Sequence, residues 1–376
     1  MEQRWLLMNA PETTQRTLPA ISTTKNTVET KAVPQKHTRN RKSFLYLTAL
    51  TFLALISILI SIRHGVHPLT WADLGQFVDP KLFKETASVA PSVVQTLVWE
   101  IRLPRVLAAL LIGGGLSIAG ASYQGIFRNA LVSPDILGAS SGAALGSALG
   151  LLLNLSILWV QLLAFAFGMC AVLFTYVLGT MFCHGHSTLR LVLTGMVTGN
   201  LFVAGLSIIK AVADPYDTLP AITFWLMGSL SGVEWGDLKI LFPPMAFGVI
   251  ILLFLRWKLN VMSFSEEEAK TIGVSVVRVR ILTLTSATLI SSVTVAIGGL
   301  VGWVGLLVPH MARFIVGPNN KDLLPFSLLL GGIYLLWADN LARWLFRTEL
   351  PLSVVTCICG APVFLSLLSR ARKGWA

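Results

Sequence analysis

The sequence predicts an all-α polytopic membrane protein with about ten transmembrane helices, on three observations. Only 12% of the 376 residues are charged, about half the density of a water-facing domain. Mean hydropathy is +0.73. The basic residues that raise the pI to about 9.8 punctuate long apolar runs instead of lining one face, which is how a polytopic membrane protein places charge. A soluble enzyme, a nucleic-acid-binding domain and a disordered chain are poor fits, and no nucleic-acid partner is expected.

The elements follow in chain order. Residues 1–43 carry eight Lys/Arg, three Glu and eight Thr. Such a segment buries too little apolar surface to offset its ordering entropy, so it reads as a disordered, basic cytoplasmic tail. The remainder, 44–376, reads as one ten-helix domain and opens with the uncharged run 44–62. Since a helix needs about 20 apolar residues to cross a bilayer, further spans are expected at 106–127, two within 136–183 with a tight turn at Asn154-Leu155-Ser156, and at 190–212, 238–256, 281–299, 303–317, 323–342 and 351–369. Gly298-Gly299 and Gly302 divide the run 281–309 into two. With both termini in the cytoplasm, 20 of the 29 Lys/Arg fall on cytoplasmic segments, as the positive-inside rule requires.

Ser133-Pro134-Asp135 offers an N-cap, a first-turn proline and an acid on the helix dipole. After it, Gly138, Gly142, Gly146 and Gly150 recur every four residues and make one smooth helix face. Close backbone approach drives helix association in lipid. Two readings follow, packing within one chain and packing between two subunits. Gly195/Gly199 and Gly298/Gly302 repeat the spacing. Cys170, Cys183, Cys357 and Cys359 lie in or beside apolar runs without zinc-ligand spacing and read as small buried hydrophobes.

The longest cytoplasmic loop, 257–280, contains Ser263–Gly273, which reads as a short capped helix. Ser265 and Glu268 fit a capping box, Glu266, Glu267 and Glu268 sit on the positive end of the dipole, and Gly273 suits the C-cap. A separately capped helix tethered to two spans is built to be gripped by a partner; a plain amphipathic connector is the alternative. No carboxylate falls mid-span, although ion-coupled transporters usually need one. No phosphate loop of the form GxxxxGK-Ser/Thr occurs, nor does a nucleophile–base cluster. His184 and His186 flank Gly185 in a short cytoplasmic loop, as metal ligands or as solvated loop histidines.

The sequence resembles the FecCD family, permease subunits of ABC importers for iron–siderophore complexes and vitamin B12. Arg102-Leu103-Pro104-Arg105 is similar to its motif before the second span. So are Gln124-Gly125 with Arg128-Asn129-Ala130-Leu131, Pro134-Asp135-Ile136-Leu137-Gly138, Phe224-Trp225-Leu226-Met227-Gly228-Ser229, Gly305 to Arg313 with Pro309-His310, and Asp339, Arg343, Glu349-Leu350-Pro351 and Gly360-Ala361-Pro362. The resemblance covers roughly 44–372. Ala130 departs from it, where proline is common, and so does the long polar tail.

The resemblance implies a type II ABC importer permease-like fold that works as a dimer with a same or similar second subunit in the cytoplasmic (inner) membrane of a bacterium. It implies two cytoplasmic ATPases that use ATP and Mg, an extracytoplasmic substrate-binding protein, and lipid as the remaining partner. This chain itself would bind no cofactor or metal. The resemblance assigns Ser263–Gly273 to a groove on the ATPase, and Arg102, Arg105 and Arg343 to docking of the binding protein. For Arg102 and Arg105, interfacial snorkelling is the other reading. The loop Cys183–Arg190, with His184, Gly185 and His186, is a candidate for part of the inner gate. The expected function is uptake of an iron–siderophore complex, haem or vitamin B12, driven by ATP hydrolysed elsewhere. The alternative is an ion-gradient-driven secondary transporter.

Overall fold

A computed structural model describes residues 36–65, 68–78, 89–181, 188–345 and 348–371, and these are all helix and connecting turn. The helices are α1 (Lys36–Arg63), α2 (Trp71–Val78), α3 (Pro91–Gln95), α4 (Leu103–Phe127), α5 (Ala139–Leu152), α6 (Ile157–Met181), α7 (Thr188–Val212), α8 (Thr218–Met227), α9 (Trp235–Val261), α10 (Glu266–Thr271), α11 (Val276–Gly298), α12 (Val304–Val316), α13 (Asn320–Trp344) and α14 (Leu352–Ala371). A π-helical stretch, Thr96–Arg102, joins α3 to α4, and a 3₁₀ turn, Pro134–Leu137, precedes α5.

Each of the ten expected spans contains a helix, and seven helices are long and apolar enough to cross a membrane. Two of the others are short, α12 as its span 303–317 leads one to expect. Helix α5 has 14 residues and α12 has 13, about 20 Å each at 1.5 Å per residue, against a hydrocarbon core of about 30 Å. Gly138, at φ 82°, ends the 3₁₀ turn before α5, and Gly299 and Trp303, both at φ 69°, separate α11 from α12. The first helix begins at Lys36, ahead of the expected boundary at 44. Helix α8 lies within an expected outer loop, where no span was assigned. The expected cap at Ser133 makes no side-chain hydrogen bond to the turn it precedes.

Long-range contacts sort the connections into two groups with the membership that ten alternating crossings require. On one side Arg102 reaches the Arg63 carbonyl, Arg105 reaches Glu349, and the Trp235 indole donates to the Trp99 carbonyl. On the other, Arg128 reaches the Met262 carbonyl and Asn260 meets Asn319. Tryptophans gather at the first side: Trp99 against Trp235, Trp344 against His64, and Trp71 under the Arg63 guanidinium. An aromatic girdle of this kind marks a membrane–water interface.

Helices α4 and α11 form the centre, with 83% and 78% of their apolar windows buried, whereas α7 and α1 are peripheral at 11% and 17%. Helix α4 packs on α13, α12, α11 and α9, and the α5–α6 hairpin packs on α7 and α11. Close packing needs glycine at α4: a Cβ on Gly120 would overlap the Gly305 carbonyl of α12, and one on Gly113 would overlap the Gly331 carbonyl of α13.

Candidate functional site: a capped loop helix and an opposing arginine network

The capping box is formed. The Glu268 amide donates to Ser265 Oγ at 3.2 Å, and the Ser265 amide donates to the Glu268 carboxylate at 2.9 Å. The helix is shorter than the expected Ser263–Gly273: α10 spans six residues, Ile272 is its C-cap, and Gly273 follows at φ 84°, the left-handed stop expected of it. Ala269 is buried and seats the helix on the bundle, while Phe264 and Ile272 stay about half exposed at its two ends. The three acids divide their roles. Glu268 closes the cap, and Glu266 pairs with Arg280 of α11 at 2.8 Å. Glu267 is exposed, the acid of the three best placed to meet a partner. The Ser265 amide and hydroxyl, aided by Arg128, hold the Glu268 carboxyl below its usual range. A cleft of about 380 Å³ lined by Glu266, Lys270, Gly273 and Val274–Val277 opens beside the helix.

Two braces hold this loop. Arg128, the C-cap of α4 at φ 49°, donates from Nε to the Met262 carbonyl at 2.8 Å and from Nη2 to the Phe264 carbonyl. Asn260 donates to Asn319 at 2.6 Å and accepts from the Asn320 amide at 2.8 Å, tying α9 to α13. One turn back on α4, Gln124 accepts from Arg313 of α12 and donates to the Leu306 carbonyl.

The three arginines expected to dock a binding protein are held inside the chain. Arg105 forks onto Asp339, with Nη2 to Oδ1 at 2.8 Å, and onto Glu349 at 2.8 Å. Arg343, one turn beyond Asp339, pairs with it at 3.3 Å and donates to Ser61 of α1. Arg102 ends the π-helical stretch and donates to the Ile62 and Arg63 carbonyls. Arg102 is 4% exposed and Arg105 7%. All three guanidiniums already have partners within the chain, so an acid on a partner protein would have to compete with carboxylates and carbonyls in place. Of this network, Glu349 is the part that reaches the surface, with a third of its side chain exposed.

The glycine stripe takes the within-chain reading. Cβ atoms on Gly142, Gly146 and Gly150 would run into Phe167, Leu163 and Val160 of α6, and Gly138 lies against Gly199 of α7. Gly195 likewise packs on Ile136, but Gly302 has nothing near it, so the Gly298/Gly302 pair is not a packing stripe. Cys170 and Cys357 are exposed and Cys359 is half-buried, which corrects the buried reading. His184, Gly185, His186 and Cys183, the candidate inner gate, lie outside the described residues. A cavity of about 360 Å³ between α6, α7 and α11 is apolar, and its threonines (Thr175, Thr285 and Thr288) donate to backbone carbonyls. Besides these, the Tyr176 hydroxyl and the weakly polar Cys170 thiol are the polar side-chain groups of its lining, so the cavity is a poor fit for a polar cargo.

Arg128, Asp339 and Glu349 stand in the sequence only as parts of motifs, and Arg128 and Glu349 have no local feature that assigns them a role. The four-residue spacing of Asp339 and Arg343 was the available signal for that pair.

Comparison with known proteins adds four findings. The FecCD transport family model matches residues 53–370. The molybdate import system permease protein MolB of Haemophilus influenzae is 38% identical over 330 residues, covering 87% of this chain and 96% of that one. The Fe(3+) dicitrate transport system permease protein FecD of Escherichia coli is 38% identical over 317 residues, covering 84% and 95%. Among solved structures, a metal-chelate type ABC transporter in an inward-facing conformation superposes with a TM-score of 0.78 at 36% identity, over 86% of this chain and 98% of that chain.

Proposed function

The chain belongs to the FecCD transport family of ABC importer permeases, and from that premise we propose that it passes an iron–siderophore complex across the cytoplasmic membrane. The observation that carries the mechanism is α10: a self-capped helix between two spans, seated by Ala269 and presenting Glu267, Phe264 and Ile272 outward. Such a surface suits a groove on a cytoplasmic ATPase. Two copies of that ATPase, using ATP and Mg, would close on each other and carry α10 with them. A dimer of this chain with a same or similar subunit would thereby shift between outward- and inward-open populations, because the ATP-bound engine favours one of them. Both termini face the cytoplasm in this reading, on the strength of the basic residues collected there. An extracytoplasmic binding protein delivers the cargo to the opposite face. Arg102, Arg105 and Arg343 serve that docking by holding the outer surface in shape.

The cargo class draws support from the relatives, which are named for molybdate and for ferric dicitrate, both polar metal-containing species. The test is uptake into vesicles bearing the assembled importer, with labelled ferric siderophore, haem, cobalamin and molybdate offered in turn. ATP-dependent, vanadate-sensitive uptake of the ferric complex that survives a protonophore is expected. Preference for another cargo under the same ATP dependence would overturn the iron assignment alone. Uptake abolished by the protonophore and indifferent to vanadate would make the chain a secondary transporter.

A further inference from the structure

Helix α4 is bound at both ends by arginine forks. Arg105 opens it against Asp339 and Glu349, and Arg128 closes it against the loop that carries α10. Between them the helix is the most deeply buried of the long apolar helices and meets α12 and α13 backbone to backbone at Gly120 and Gly113. Packing of that closeness leaves a helix little room to slide or bend independently of its neighbours.

At the inner end, Met262 is the C-cap of α9 and Phe264 immediately precedes the Ser265 cap of α10. One guanidinium therefore bridges the end of the incoming span and the start of the capped helix, through two main-chain carbonyls. We propose that Arg128 is the positioning residue that keys α10 to α4, so that force applied to the coupling helix moves the central helix with it. This rests on the reading of α10 as the ATPase contact. A fork is needed because two acceptors two residues apart call for donors diverging from one rigid plane. A lysine ammonium on a flexible stem satisfies them one at a time. The acceptors are backbone, so the link survives side-chain changes in the loop and depends on Arg128 itself. The left-handed conformation of Arg128 places its fork beyond the last turn of α4.

The test uses the full chain in its assembled importer, with nitroxides at Val93 and Thr271. Both positions are exposed, the first near the outer end of the continuous helix that leads into α4, the second on α10. The wild-type distance distribution should be narrow and should shift as one population on addition of ATP and vanadate. In Arg128→Ala its width should rise roughly twofold, and ATP hydrolysed per labelled ferric siderophore taken up should rise several-fold. Arg128→Lys, which keeps the charge and loses the fork, should fall between. A mere loop anchor would lower the yield of folded protein but leave both readouts unchanged in what folds; unchanged readouts in Arg128→Ala and Arg128→Lys would overturn the proposal. Failure of the wild-type importer to hydrolyse ATP would instead sink the ATPase reading. Keying would then still be decided in the chain alone, by whether the resting distribution broadens in the two variants.

Discussion

The two ends of α4 solve the same task with opposite chemistry. At the outer end, charges are sunk in the protein: Asp339 is fully buried between Arg105 and Arg343, and Glu349 and Ser61 fill the remaining positions. At the inner end, Arg128 is exposed and its acceptors are carbonyls, while neutral amides, Asn260 with Asn319, make the second brace. Buried charges hold hard because separating them leaves an uncompensated ion away from water. Charge-assisted bonds from Arg128 to carbonyls position the loop, yet cost less to break than a buried ion pair. The outer end is therefore built as a lock, and the inner end as a joint that is positioned but free to be driven.

The largest effect that would break this contrast lies at the outer end. Asp339→Asn leaves Arg105 and Arg343 facing each other over a neutral amide. Losing one partner of a buried pair typically costs about 3–5 kcal/mol, so the midpoint of thermal unfolding in detergent should drop sharply and little folded protein should be recovered. A midpoint equal to wild type would show that the network is solvated and that the lock does not exist.

A smaller and purely local loss is expected at the inner end. Ser265→Ala removes the hydroxyl that accepts the Glu268 amide, and loss of such a cap costs on the order of 1 kcal/mol. Helix α10 has only six residues, so a nitroxide at Thr271 should become visibly more mobile while the global unfolding midpoint stays where it was. A fall in the global midpoint would mean that the joint is part of the lock.

Much of this was readable from local pattern. The turn at Asn154, the break at Gly298-Gly299 and the Ser265–Glu268 box are signals spread over a few residues, and each appears where the pattern places it. What escaped was long-range or depended on which way a helix faces. Arg105 and Asp339 are 234 residues apart, so nothing near Arg105 tells that its partner lies inside the chain and not on another protein. The cysteines were misread for a related reason: a membrane helix is apolar all round, so hydropathy does not separate its lipid side from its core side. Helix α8 was missed because ten residues is too short to register as a span. Arg128 stood in plain view within a motif, but its work depends on a loop more than 130 residues away.

The smallest effect is also the one most particular to the joint. Glu268 titrates below the ordinary carboxyl value of 4.5, first because its carboxylate accepts the Ser265 amide and hydroxyl, and further because Arg128 lies near. A carboxyl whose folded pKa is depressed contributes order that is present above the unfolded value and is lost as pH falls through the folded one. The nitroxide at Thr271 should therefore be equally ordered between about pH 7 and about pH 5 and loosen as the pH is taken below about 4. Glu268→Gln supplies the attribution. A glutamine at this position still closes a capping box but carries no proton in this range, and its label should pass through the same window without the Glu268 step. A full loosening in Glu268→Gln would place the pH-sensitive contact outside the cap of α10.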